Sequence, residues 1–213
     1  MKRCFIFAAG TFYGLREAPL PGDLVLAADA GYRNCQKAGI TPTELLGDFD
    51  SMDQPKDFEN VTRSPVEKDD TDTMLAVKTG LAQGCTEFYI YGGTGGKRLD
   101  HTIANLQTLL FLRRNGVRAY LYGDDFVWTV LENESITVQK TVEWGLLSVF
   151  ALSEHAEGVS ETGTQYCPQN GTVDAAFPLG VSNHILDASA TVSVEHGTLL
   201  VGWELPSLAE SKK

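Results

Sequence analysis

Carboxylates gather in the early part of the sequence at points where apolar runs stop. Asp29 ends LVLAAD, Asp48 and Asp50 stand in GDFDS at 47–51, and Asp70 and Asp72 stand in KDDTDT at 68–73. Charge at the junction of a strand and a helix is costly unless a cation balances it. Mg²⁺ would: it takes oxygen ligands, keeps several waters, and bridges a few carboxylates to substrate phosphates. A glycine-rich stretch, GGTGGKR at 92–98, follows another apolar run, FYIY. Its glycines let backbone N–H groups approach an anion, the following helix offers its positive end, and Lys97 and Arg98 add charge. Aspartates and a glycine-rich loop together point to Mg²⁺-dependent phosphoryl transfer.

Other chemistries fail on spacing. An EF-hand opening at Asp48 needs glycine at its sixth position, where Asp53 stands. In a Walker A sequence, Tyr91 would occupy the first glycine position and Arg98 the Ser/Thr position. His101, His155, His184 and His196 show no zinc spacing, and GVSNH at 180–184 lacks the G-x-S-x-G of a serine hydrolase. Helix capping by Asp70, Thr71 or Asp72 accounts for one of the three, but not for Asp29 and GDFD.

These residues need elements to hold them. CFIFAA (4–9), LVLAAD (24–29), ELLGD (44–48), FYIYGG (88–93) and RAYLYGDD (118–125) read as buried parallel strands. Between them, AGYRNCQKAG reads as a helix ending at Gly39. TDTMLAVKTGLAQG reads as a second helix, with Met74, Val77, Lys78 and Leu81 at helical spacing and a close at Gly84. DHTIANLQTLLFLRRNG reads as a third, with Ile103, Leu106 and Leu110 on one stripe and Arg113 and Arg114 at the negative end of its dipole. From about residue 126 the period falls to two in FVWTVLENESITVQ, VEWGLLSVFAL and ATVSVEHGTLLVGWE, with turns at ENES, EHG and PQNG and no convincing helix before residue 205. The expected architecture is an α/β domain with a mostly parallel, Rossmann-like sheet over 1–125, then an all-β sandwich over 126–213. In the parallel domain, ligands are expected beyond the carboxyl ends of the strands, where the aspartates and glycines fall.

The 213 residues carry a net charge of −11, and residues 48–72 hold nine acids against Lys56, Arg63 and Lys68. That excludes a general nucleic-acid binder but not a phosphorylated ligand approached through a cation. No apolar stretch approaches the ~20 residues of a membrane span, and MKRCFIFAAG reads as a first strand rather than a signal peptide. The four cysteines show no C-x-x-C spacing and read as free, mostly buried thiols, which suits a cytoplasmic protein.

GDFDS, EKDDTDTMLAV and GGTGGKRLDHTIANLQTLL, in that order, resemble successive motifs of the thiamine pyrophosphokinase family. LGVSNHI and TVSVEHGTLLV resemble the thiamine-binding domain of the same family. The resemblance runs from Cys4 to about Trp203. It implies transfer of the pyrophosphoryl group of ATP to the hydroxyl of thiamine, giving thiamine diphosphate and AMP, with Mg²⁺ as cofactor. It also implies a homodimer with the thiamine cleft between subunits. Carried over by position, Asp29, Asp48, Asp50 and Asp72 match the acids around Mg²⁺ and the ATP phosphates. Lys68 and Thr71 flank the triphosphate, and Gly95, Gly96, Arg98 and Asp100 belong to the nucleotide-side motif, with Asn105 fixing the start of its helix. Asp48, Asp50, Asp72 and Arg98 would carry catalysis; Asp72 suits both orienting the thiamine hydroxyl and binding metal. Tyr166, Ser182 and Asn183 match the thiamine side, although His184 stands where the family often has Glu. Two rivals keep the same machinery: a pyrophosphokinase acting on another small alcohol such as a pterin, and a non-catalytic thiamine or nucleotide sensor. GVSN in the β-rich half favours thiamine over the first, and the intact acids and Arg98 oppose the second.

Overall fold

The computed structural model describes residues 1–47, 58, 60–63 and 69–208. The chain divides into two units, Met1–Asp124 and Asp125–Lys213.

The first unit is built on apolar runs that stack as a parallel sheet. Its strands are β1 (Arg3–Phe7), β2 (Leu24–Ala28), β3 (Glu44–Gly47), β4 (Val61–Arg63), β5 (Glu87–Tyr91) and β6 (Arg118–Tyr122). They lie in the order β6-β5-β1-β2-β3-β4, and every pairing is parallel. Phe5, Phe7, Leu26, Leu45, Phe88, Ile90 and Leu121 are fully buried, as strands covered on both faces require. From β1 the chain builds outward through β2, β3 and β4, then returns to the other side of β1 with β5. The order in which strands are added therefore reverses between β1 and β5, and a crevice opens there at the carboxyl ends. The short edge strand β4 was not legible as a strand in the sequence.

Helix α1 (Gly31–Ala38) ends as expected at Gly39, whose φ of 68° is the left-handed conformation that glycine adopts without strain. Helix α2 (Asp72–Ala82) is capped by Thr71, whose hydroxyl oxygen accepts the Met74 N–H at 3.1 Å. Helix α3 (Leu99–Arg114) carries Arg113 and Arg114 in its last turn. Of the faces expected for α2 and α3, Val77 is buried as expected and the rest is corrected by the structure. α2 buries Thr73, Ala76, Val77 and Gly80, whereas Met74 and Leu81 lie at the flanks and Lys78 is exposed. α3 buries Asn105, Thr108, Leu109 and Leu112, leaving Ile103 exposed and Leu106 and Leu110 partly covered. Small residues let a helix sit close to the sheet: a Cβ on Gly80 would stand 2.6 Å from the Phe88 ring. The bulky residues that catch the eye in the sequence are displaced to the sides.

The second unit is all β among its described residues. Strands β7 (Phe126–Glu132), β9 (Leu146–Ala151), β12 (Gly180–His184) and β14 (Thr198–Glu204) form one antiparallel array in the order β12-β9-β14-β7. Strands β8 (Ser135–Gln139), β10 (His155–Thr162), β11 (Gly171–Asp174) and β13 (Ser189–Ser193) form another, β11-β10-β13-β8. Both contribute to one core, including Leu131, Val138, Leu147, Val149, Val159, Val192, Leu199 and Val201. ENES forms the turn at Asn133 (φ 52°), and EHG forms the turn at Gly197 (φ 114°). β10 departs from strict alternation because its pairing with β11 shifts register between Glu157 and Val159.

Candidate active site

Two segments leave the sheet at the crevice and pair with each other. The Ala8 N–H donates to the Tyr91 carbonyl at 2.8 Å, the Gly10 N–H to Gly92 at 2.7 Å, and the Thr11 N–H to Thr94 at 3.3 Å. The approach demands glycine at 92: its φ is 66°, and a Cβ there would lie 2.3 Å from the Ala8 carbonyl oxygen. Two buried amides brace this strip from below. Asn34 on α1 donates to the carbonyls of Ala8 at 2.8 Å and Gly10 at 3.0 Å. Asn105 on α3 donates to the Gly93 carbonyl at 2.7 Å. Asn105 therefore holds the loop rather than the start of the helix, which corrects its expected role: it lies beyond the first turn, where its side chain faces Gly93.

Above the strip lies a cavity of about 530 Å³, within the range of small-molecule sites. Asp29 lines one wall, Thr71 and Asp72 another, and Gly92, Gly93, Gly95, Gly96, Lys97 and Arg98 a third, with Asn105 at the base. Asp29 follows β2 directly and is 7% exposed. Its backbone is left-handed, φ 46°, a conformation L-residues other than glycine rarely take; its N–H donates to Leu46 O at 2.7 Å. A polar residue held so at a strand end is a functional hint. The amino ends of α2 and α3 both border the cavity, and no side chain caps α3. Their N–H groups and dipoles favour an anion.

Arg98 forms a bidentate pair with Asp100, with Nε–Oδ1 at 2.9 Å and Nη2–Oδ2 at 2.6 Å. The Arg98 guanidinium holds the Asp100 carboxyl down at about 2. Asp100 thus pairs with Arg98 and does not line the cavity. Asp70 turns to Lys78, with both carboxylate oxygens at 2.7 Å, in an exposed ion pair outside the cavity. Asp48, Asp50 and Lys68 lie outside the described residues. Among the described residues no cluster of three or more His, Cys, Asp and Glu side chains is poised to hold a metal. Asp29 and Asp72 supply the hard oxygen donors present, which fit Mg²⁺ in kind. Sequence reasoning missed Asn34, the Ala8–Gly10 strip, His101 and Thr102, which also line or brace the cavity. The stop of CFIFAA at Gly10 was the available signal.

In the second unit, Tyr166 and Asn183 come together through the backbone of one and the amide of the other. Asn183 Oδ1 accepts the Tyr166 N–H at 3.0 Å and Nδ2 donates to its carbonyl at 2.7 Å. Tyr166 is 68% exposed. Ser182, on the surface with φ 60°, donates its N–H to Ser148 Oγ at 3.1 Å. His184 is engaged by Trp144: its Nδ1 lies 2.8 Å from the Trp144 carbonyl, and the rings meet edge to face at 6.0 Å.

Two family models match the chain. "Thiamin pyrophosphokinase, catalytic domain" spans residues 21–121, and "Thiamin pyrophosphokinase, vitamin B1 binding domain" spans residues 133–199. The chain belongs to the thiamin pyrophosphokinase family. It is 27% identical over 184 residues to the thiamine pyrophosphokinase of Bacillus subtilis (strain 168), covering 84% of this chain and 86% of that one. Among solved structures, the thiamine pyrophosphokinase from Bacillus subtilis superposes with a TM-score of 0.86 at 24% identity, over 96% of this chain and 100% of the other. The thiamin pyrophosphokinase from Geobacillus thermodenitrificans superposes at 0.83 and 25% identity, over 97% and 99%. The catalytic-domain match contains Asp29, Asp72, Gly92, Gly93, Gly95 and Gly96 of the cavity. The vitamin B1 binding match contains Tyr166, Ser182 and Asn183.

Proposed function

We propose that the cavity between β1, β2 and β5 binds ATP and that the protein transfers its pyrophosphoryl group to the hydroxyl of thiamine. The observation that carries this reading is the convergence of two helix amino ends, the glycine strip, Arg98, Asp29 and Asp72 on one cavity, in a chain of this family. The thiamine oxygen forms a bond to the β-phosphorus as the bond from that phosphorus to the α–β bridging oxygen breaks. AMP leaves, and the hydroxyl proton passes to a base, for which Asp72 is the candidate. Such a reaction asks for positioning and charge neutralisation more than covalent help. The backbone N–H groups of Gly92–Gly96 and the amino ends of α2 and α3 hold phosphate oxygens, and Arg98 shares its fork between Asp100 and the transferred group. Mg²⁺, held by Asp29 and Asp72 together with Asp48 and Asp50, would neutralise charge on the phosphates.

The same reading extends to the units and the assembly. We take 1–125 as the catalytic, ATP- and Mg²⁺-binding domain with a Rossmann-like sheet, and 126–213 as the thiamine-binding sandwich. Tyr166, Ser182 and Asn183 form the thiamine side. A homodimer with the thiamine cleft between subunits accords with the exposed Trp144, Tyr166, Phe177 and Leu179 on the second unit; sedimentation equilibrium tests it. Cys4, Cys35 and Cys85 are buried free thiols, as suits the cytoplasm, and no helix among the described residues is long and apolar enough to cross a membrane. The deciding assay measures AMP released from ATP and Mg²⁺ with and without thiamine. Thiamine-dependent AMP, matched by thiamine diphosphate, supports the reading; AMP formed equally without thiamine, or none at all, overturns it.

A further inference from the structure

Glu161 is an acid in a place that normally excludes one. It lies near the end of β10, is 5% exposed, and is the one acid besides Asp29 among the buried polar residues of the described chain. Burial pushes its carboxyl up, against a hydrogen bond from Asn183 that pulls it down. Its Oε2 accepts from Asn183 Nδ2 at 2.8 Å. The same Asn183 amide then binds both backbone polar groups of Tyr166, as a neighbouring strand would. The Thr164 hydroxyl adds a second donor to the Tyr166 carbonyl at 2.9 Å, and Gln165 N–H donates to His184 O at 2.8 Å.

A carboxamide has two faces of opposite sense, and turning it over exchanges donor for acceptor. Were the Asn183 amide reversed, its oxygen would confront the Glu161 carboxylate and its NH₂ would confront the Tyr166 N–H. Glu161 and the Tyr166 backbone therefore select the same orientation, and Glu161 anchors the amide in it from the buried side. The residues of this network belong to the second unit, whereas those that line the cavity all belong to the first.

We propose that Glu161 is a positioning residue for thiamine: by fixing the Asn183 amide it fixes the Tyr166 backbone, and with it the direction in which the exposed ring meets the substrate. This rests on the reading of Tyr166 as a thiamine contact. A carboxyl buried only for stability would leave substrate constants alone. One that acts through Asn183 changes thiamine binding and leaves ATP untouched.

The test uses the full chain with Glu161→Leu, Glu161→Gln and Tyr166→Ala. It measures KM for thiamine and for ATP, kcat, thermal midpoint, and hydrogen exchange at the Tyr166 amide. Glu161→Leu should raise KM for thiamine about tenfold and speed exchange at the Tyr166 amide about tenfold, with KM for ATP within about twofold. Glu161→Gln keeps a carbonyl oxygen to accept from Asn183 and should stay within about threefold of the parent. Should the leucine variant fail to fold, Glu161→Asp, whose carboxyl falls one methylene short of Asn183, carries the same expectation. A lowered thermal midpoint with KM for thiamine unmoved, while Tyr166→Ala raises it, overturns the positioning role and leaves the Tyr166 reading standing. An equal rise in both KM values also overturns the role. Unmoved KM for thiamine in Tyr166→Ala overturns the reading of the ring as a contact, and the proposal with it.

Discussion

Asn105→Ala tests whether the glycine loop, proposed to bind phosphate, is held from below. Asn105 is 4% exposed, and its amide donates to the Gly93 carbonyl at 2.7 Å. Alanine removes the donor and leaves a buried carbonyl without that partner, at a cost of about 1–3 kcal/mol. In a unit of this size that lowers the thermal midpoint by about 3–12 °C. The functional effect is separable from the stability loss, because Gly93 opens the loop that carries Gly95, Gly96 and Arg98. A displacement of about 1 Å in a positioning element costs on the order of a hundredfold in rate. The expected result is therefore a kcat/KM for ATP reduced about 10- to 100-fold below the unfolding range, with KM for thiamine at saturating ATP within about threefold. Asn105→Leu restores volume without the donor and should recover part of the midpoint but none of the activity. Steady-state AMP release and a thermal melt on the same samples suffice. A variant with the expected midpoint loss and a kcat/KM for ATP within about threefold of the parent would refute the brace.

Asp72→Asn keeps shape and loses charge, so turnover should fall more than tenfold (~1.4 kcal/mol) with the thermal midpoint nearly unchanged; activity above about a tenth of the parent removes Asp72 from the metal and base assignments. Arg98→Ala should weaken ATP use far more than thiamine use, and equal losses for both substrates would mark the loop as structural. The same substitution should return Asp100 from about 2 toward the ordinary carboxyl value, followed by carboxyl NMR titration. Since the folded value is depressed, the contribution of this ion pair is present above the ordinary carboxyl value of 3.8 and disappears as pH falls through about 2. Of the four free thiols, Cys167 alone is exposed, and burial pushes Cys35 up to about 12. An aromatic disulfide reagent should therefore label one thiol rapidly in the native protein and all four after denaturation, and a second fast thiol would contradict the packing.

What the sequence made legible follows from what it has to encode locally. Glycine at 39, Thr71 before α2 and the glycines of 92–96 are demands of the backbone at a single point, and each stands where it was read. The strand ends were legible for the same reason: apolar runs stop where burial stops. The helix faces were not, because α2 meets the sheet through Thr73, Ala76 and Gly80, residues chosen for their small size, which a search for large apolar side chains passes over. Nor were Asn34, Asn105 and the full role of Asn183, whose partners at Ala8, Gly93 and Tyr166 lie 26, 12 and 17 positions away. These three share a physical task. At the end of a strand, the sheet no longer supplies partners for backbone carbonyls, yet the loop beyond must be held still to bind a ligand. A buried carboxamide supplies what is missing: a donor for an orphaned carbonyl and, in Asn183, an acceptor for the N–H as well. It does so without a charge that would compete with phosphate or with the thiazolium. Asparagine is thus the side chain that extends a sheet beyond its last ladder bond, and at these three positions it stands beside a strand end or loop that carries candidate site residues.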